Sequence, residues 1–348
     1  HHDLYRGCAG GRWWVMEQQP GPVNWAAHNP APLPGMVRLW TLEAAAHGAE
    51  LVSYFRWRQA PFGQEMHHAG LLRPDSIDDI GAHEARAAAA DLAALGTLGA
   101  PPRSVALVFS YEAAWLFEAQ PQGRSFRYIE LAFAFYSALR RLGLDVDIVD
   151  PEAELDGYRM VVVPSLPTID PGLATRLERL EVPVLFGPRS GSRTRDFQIP
   201  EDLPPGALRS AIPITISRVE SLREGLTEAG DGFAVTRWLE HVETALAPEI
   251  ALNDGRGIVY HSGAMRYLAG WPDAALLHRL FSAMASEAGV AVIELPRDLR
   301  LRRAGDMTFA FNYGPEAIDL RHVTDRPPII GESLLPPAGV AAWRESSA

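Results

Sequence analysis

Glu17 follows a short apolar run, Trp13-Trp14-Val15-Met16, and precedes a segment rich in proline, glycine and asparagine. A carboxylate directly after an apolar strand stands where a barrel displays its catalytic groups. Trp25 lies beyond it, and an aromatic face beside a carboxylate suits the C–H face of a sugar ring. Asn24, His28 and Asn29 add hydrogen-bonding groups for hydroxyls. A second apolar run, residues 51–55, is followed by Arg56, Trp57, Arg58, Glu65, His67 and His68. Arginines near a carboxylate favour its charged form and would keep a nucleophile ionised.

Each of these residues alone also has a structural reading. A glutamate at a strand end can serve the fold, and a single tryptophan can be core or interface. Arg56 and Arg58 can anchor ion pairs, and His68 can be a satisfied packing residue. The Glu65-x-x-His68 spacing fits metal ligation on a helix. This stretch reads as a loop without further ligands, so no metal or other cofactor is expected.

The elements that position these groups can be read from the pattern. Trp13–Met16 reads as a buried strand ending at Glu17, and residues 51–55 as another. Val37–Ala46 is helix-like, with Gly48 as its stop. Ile80–Leu95 is alanine-rich and helical, closed by Gly96 and Gly99. Strand, loop, helix repeated twice points to a parallel α/β arrangement with polar groups gathered after each strand. A (β/α)₈ barrel needs eight such units. Two leave it incomplete, so strand edges and apolar faces are expected to stay uncovered.

Gly99-Ala100-Pro101-Pro102 marks a boundary. Residues 104–109, 145–149, 160–164 and 182–186 read as strands, and 128–142 and 173–180 as helices, the rhythm of a doubly wound, flavodoxin-like or amidotransferase-like α/β domain. Residues 187–205 are loop-rich, and a mixed region continues to about residue 296. From residue 297 the character changes. Met307–Gly314 alternates and ends in a turn, as in a small antiparallel β domain. The expected organisation is therefore an incomplete barrel over 1–99, an α/β domain over 100–296 and a β domain over 297–348. An amidotransferase activity for the middle segment is excluded, because that chemistry needs a nucleophilic cysteine and the only one is Cys8.

The formal net charge is -11, and all 32 basic residues are arginine. An acidic surface repels phosphate backbones and anionic lipid, so neither nucleic acid nor a membrane surface is an expected partner. No apolar run approaches about 20 residues, so no membrane span is expected. One thiol makes no internal disulfide, which points to the cytoplasm. The chain starts without methionine and with no apolar signal core, as if it begins mid-protein.

The segment from Val15 to Trp25, Val-Met-Glu-Gln-Gln-Pro-Gly-Pro-Val-Asn-Trp, resembles the nucleophile segment of glycoside hydrolase family 42 β-galactosidases. Pro34–Trp40, His47–Glu50 and Tyr54–Pro61 follow as in that family. Downstream, Pro188–Thr194, Pro204–Gly206 and Arg218–Leu222 look like parts of its trimerisation domain. The terminal β region resembles its small C-terminal domain.

The resemblance implies a retaining β-galactosidase releasing terminal galactose from a β-galactoside. Glu17 would be the nucleophile, with Trp25, Glu65 and His68 lining the galactose subsite. A retaining mechanism needs a second carboxylic acid about 5–5.5 Å from the first. The family's acid/base glutamate follows an asparagine. No Asn-Glu pair occurs in this sequence, so it is expected before His1. Glu65 is an alternative acid by proximity, although the resemblance gives it to hydroxyl binding. The resemblance also implies a homotrimer. The alternative reading is a catalytically inactive chain that acts only as an oligomerisation or structural module.

Overall fold

Residues 1–102 and those from Ile293 onward fold as one compact unit, and Arg103–Val292 as a second. The computed structural model describes residues 1–345.

The first unit opens with α1 (His2–Cys8), β1 (Trp13–Gln18), α2 (Met36–Ala46), β2 (Ala49–Tyr54) and α3 (Ile80–Leu95). β1 and β2 pair in parallel, as strands joined by a helical crossover must. The Asp79 side chain accepts a hydrogen bond from the Ile80 backbone at 2.8 Å to start α3, and Gly96, with positive φ, ends it. α2 begins at Gly35, which has no side chain to cap it. Glu84 from α3 does so instead, accepting from the Gly35 and Arg38 backbone N–H groups at 2.7 and 3.1 Å.

Two readings of β1 need correction. The strand runs through Glu17 to Gln18, because Gln18 still pairs with Tyr54 and accepts from the Phe55 N–H at 3.1 Å. Nor is it buried throughout. Trp13 is enclosed, but Trp14 and Met16 are 54% and 66% exposed, and Leu51 of β2 is also open. The sheet has only two strands among the described residues, so one apolar face has nothing laid against it.

The second unit contains β3 (Val105–Val108), α4 (Tyr111–Ala119), α5 (Tyr128–Arg141), β4 (Val146–Val149), β5 (Met160–Val163), α6 (Pro171–Glu178) and β6 (Val184–Phe186). These four strands are parallel in the order β4-β3-β5-β6, with chain direction across the sheet reversing after β4. Every residue of β3, β5 and β6 is buried, which explains their unbroken apolar runs. The chain continues through β7 (Thr215–Ser221), β8 (Glu228–Gly230), β9 (Phe233–Glu243), β10 (Pro248–Ala251), β11 (Gly257–Ser262), β12 (Met265–Leu268), β13 (Gly270–Pro272) and α7 (Ala274–Glu287). β12 extends the parallel sheet beside β6, and β11 and β10 add antiparallel strands, making seven. β13, β9 and β7 form a separate antiparallel sheet, with β8 beside β9.

The chain then returns to the first unit with β14 (Leu299–Ala304), β15 (Met307–Asn312), β16 (Ile318–Asp319), β17 (Leu334–Leu335) and β18 (Val340–Arg344). β15 is the middle strand of an antiparallel sheet with β14 and β18. Its alternation sorts side chains onto two faces, and both are covered. Met307, Phe309 and Phe311 pack with Leu39, Leu42 and Ala46 of α2, while Ala310 packs with Leu301 and Trp343. The shared core with α2 is why these strands join residues 1–102. Asp3 of α1 and Arg302 of β14 are likewise buried together, 3.3 Å apart.

Candidate active site

Glu17 is the penultimate residue of β1, with its side chain open to solvent. Two residues on, the Gln19 amide bridges inward. Its Nε2 donates to Glu17 Oε1 at 2.8 Å, and its Oε1 faces His68 Nε2 at 2.5 Å. Because the amide nitrogen is committed to the carboxylate, its oxygen must accept from His68, which fixes the proton on Nε2. His68 is 3% exposed, and its Nδ1 has no hydrogen-bond partner among the described residues. The ring lies 4.9 Å from Phe55, and the Arg56 guanidinium lies 4.5 Å from the centroid of that same phenyl ring. Three residues that the sequence treats separately, Glu17, Gln19 and His68, are thus one hydrogen-bonded line.

The loops after β1 and β2 are tied to each other. Ala69 N–H donates to Pro22 O at 2.9 Å, and Asn24 Nδ2 donates to Gln64 O at 3.1 Å. Gly21 and Gly81 permit the packing. A Cβ on Gly21 would come within 2.7 Å of the Ala69 Cβ, and one on Gly81 within 2.3 Å of the Pro20 carbonyl oxygen. The second contact is with backbone and cannot yield easily, so only glycine fits where α3 passes the segment following Glu17.

Glu65 is placed beside Arg56, which donates to it. Sequence reasoning assigns the nearby arginines to a nucleophile, but the structure pairs them differently. Arg56 serves Glu65, and Arg58 Nη1 donates to Ser76 Oγ at 3.0 Å. Glu17 accepts instead from the neutral Gln19 amide. Trp25 is 71% exposed on its loop, and Trp57 is 73% exposed on the other. Asn24, expected to meet a ligand hydroxyl, instead holds the two loops together. Glu65 and His68 also do not converge on one point as metal ligands would, since one faces Arg56 and the other Gln19. Among the described residues no group of three or more His, Cys, Asp or Glu side chains could hold a metal ion.

Gln19 is the residue that sequence reasoning missed. Its only signal was its position, two residues past a candidate nucleophile and still polar before the proline. No helix among the described residues is long and apolar enough to cross a membrane.

Comparison with known proteins gives a consistent result. Residues 1–95 match the family model described as "Beta-galactosidase", and residues 103–291 match "Beta-galactosidase trimerisation domain". A β-galactosidase of Thermus thermophilus is 55% identical over 350 residues, covering 99% of this chain and 54% of that protein. The crystal structure of a β-galactosidase from the psychrophilic Marinomonas ef1 superimposes with a TM-score of 0.95 at 43% identity, covering 99% of this chain and 55% of the other. That of Halorubrum lacusprofundi gives 0.91 at 34% identity, covering 99% and 55%. The chain spans about half the length of the curated relatives it matches.

Proposed function

Because the chain belongs to the glycoside hydrolase family 42 β-galactosidases, we propose that its full-length protein is a cytoplasmic, retaining β-galactosidase with Glu17 as nucleophile. The observation that carries this reading is Glu17 itself. It is an open carboxylate at the end of a parallel strand, oriented by an amide, within the segment that matches the β-galactosidase model. β1 and β2 would be two strands of a (β/α)₈ barrel, with Glu17 at the end where such barrels carry their chemistry.

In the proposed reaction a Glu17 oxygen attacks the anomeric carbon of a terminal β-galactoside and the bond to the leaving oxygen breaks. A second carboxylic acid donates a proton to that oxygen, then takes one from the water that releases galactose. Gln19 fixes one carboxylate oxygen of Glu17 and leaves the other for attack. Trp25 would offer its exposed face to the sugar, while Glu65 and His68 would border the galactose subsite. Glu65 would accept from hydroxyls, and the Arg56 ion pair supports that role by holding its side chain in place. We assign the acid/base to a segment outside this sequence, which contains no Asn-Glu pair. The test is covalent trapping. A 2-deoxy-2-fluoro-galactoside with a good leaving group should inactivate the full-length protein, expel the leaving group and leave one 2-deoxy-2-fluorogalactosyl group on the peptide containing Glu17. Label on another carboxylate, with hydrolysis intact, would sink the assignment.

The match of residues 103–291 to a trimerisation domain supports assembly of the protein as a homotrimer. For the 348-residue chain by itself, the missing acid favours a structural role without turnover. It should release no nitrophenol from a nitrophenyl β-galactoside above the rate in buffer. Measurable turnover that tracks the purified chain would rule out the purely structural reading.

A further inference from the structure

The second unit carries a cavity of about 580 Å³, remote in sequence from Glu17 and lined by Arg124, Arg127, Glu130, Arg223, Glu224 and Arg237. Four arginines and two glutamates line it in a chain whose net charge is -11. Arg237 and Glu130 neutralise each other at 2.5 Å. The side chains of Arg124, Arg127 and Arg223 have no hydrogen-bond or ion-pair partner among the described residues. Arginines elsewhere in this acidic chain commonly meet a carboxylate; here three unmatched ones share the hollow with a single unmatched carboxylate, Glu224, which leaves a surplus of two positive charges.

Two further features are independent of that surplus. The first is a bulge in β9. Its pairing with β13 jumps from Leu239 opposite Gly270 to Thr236 opposite Trp271, and Arg237, in between, has a φ of 56°. A left-handed conformation is strained for arginine, and bulges re-aim a side chain. Here the bulge turns Arg237 to the cavity wall. There its guanidinium lies 4.6 Å from the centre of the Trp271 ring and donates to Ser125 O at 3.2 Å. The second feature is the start of α5, a helix of 14 residues. Arg127 is its N-cap and makes no side-chain cap, so the first N–H groups are left for another acceptor on the side where Arg127 and Glu130 line the cavity.

We propose that this cavity binds a small phosphate-bearing solute. A phosphate offers several acceptor oxygens and a double charge, which matches a wall rich in arginine beside a helix start. The volume lies within the range of about 300–1,000 Å³ typical of small-molecule sites and exceeds what a bare ion fills. The neutral part of a phosphate ester would occupy the remainder, beside Leu222 and Leu226.

The test is calorimetric titration of the 348-residue chain with inorganic phosphate, a hexose 6-phosphate and the unphosphorylated hexose, at constant ionic strength. Saturable binding of both phosphates, with none for the hexose, is expected. Tighter binding of the hexose phosphate marks an ester as the ligand, and equal affinity marks free phosphate. The double variant Arg127→Gln, Arg223→Gln should weaken binding about tenfold or more. Thermal unfolding of the unaltered chain gives a second measurement that does not depend on the variant's folding. Its midpoint should rise with phosphate beyond the effect of sodium chloride at equal ionic strength. No binding in either measurement, or affinity unchanged in a folded double variant, overturns the proposal. So does a change in sedimentation of the double variant without phosphate binding to the parent, which would make the cavity a seam between copies of the chain.

Discussion

Glu17→Gln in the full-length protein is expected to lower kcat for a nitrophenyl β-galactoside by about a thousandfold or more. At 1.36 kcal/mol per factor of ten, that is about 4 kcal/mol of transition-state stabilisation. An amide is nearly the same shape as the carboxylate but does not attack an anomeric carbon to form the glycosyl-enzyme. The fold should not notice the change. Glu17 is exposed, and an amide oxygen at the same place still accepts from Gln19 Nε2. A KM close to that of the unaltered enzyme with kcat collapsed would mark a group used in the reaction rather than in binding. Glu17→Ala provides a chemical signature. Added azide can take the vacated place, attack from the same face and give the α-galactosyl azide, restoring leaving-group release. Retained turnover in Glu17→Gln, or a β-configured azide product, would remove Glu17 from the nucleophile role.

The second large effect concerns stability, in the second unit. Glu240 of β9 is 2% exposed and collects the Arg189 backbone N–H at 3.1 Å, the Trp238 indole N–H at 3.2 Å and the Tyr267 hydroxyl at 2.7 Å. The Arg189 guanidinium, itself 4% exposed, stands 3.6 Å away and 5.3 Å from the centre of the Trp238 ring. Burial, and then the neighbouring carboxylate, hold the Tyr267 phenol well above its usual range, so it remains a donor. Glu240→Ala leaves a buried cation and three donors without their acceptor. The expected loss is about 3–5 kcal/mol, the range for breaking a buried ion pair from one side. Urea unfolding followed by tryptophan fluorescence would read it. Glu240→Gln retains an acceptor oxygen and should lose clearly less. A loss below about 1 kcal/mol in the alanine variant would show that water replaces the carboxylate there.

Legibility of the fold followed how local its causes were. The helix over Ile80–Leu95 is read correctly to the residue, because Asp79 and Gly96 bound it and nothing distant is needed. β3 and β5 are read because strands covered on both faces leave unbroken apolar runs. α1 is missed because its inward residues are Asp3 and Arg6, polar types that periodicity assigns to solvent. Asp3 is buried against Arg302, 299 positions away in the chain. The strands β7, β8, β9 and β13 are missed because they form a separate sheet with an open face, where β7 shows Arg218 and Glu220 rather than an unbroken apolar run. α4 had a usable signal. Ser110 accepts from the Ala113 N–H at 3.1 Å, a cap visible as a serine ahead of Tyr-Glu-Ala-Ala.

At the site, the separate residue types were legible and their wiring was not. Glu17 and His68 stand out by position, but the bridge between them requires the loop after β2 to return to Gln19, which no spacing encodes. The assignment of Arg56 to Glu65 rather than Glu17 has the same origin. A side chain nine residues away on one loop reaches its partner more readily than one on the preceding strand.

The position of β15 gives the first unit an internal clock. It has a strand on either side, and all six of its residues are buried. No partial fraying can bare it, so the amides of Phe309 and Ala310 can trade hydrogen for deuterium only when the whole unit opens. β1, paired on one edge alone, should exchange through far smaller openings. The ratio of the two rates, followed in one sample over hours, would measure how much of the unit's total stability reaches the strand that bears Glu17.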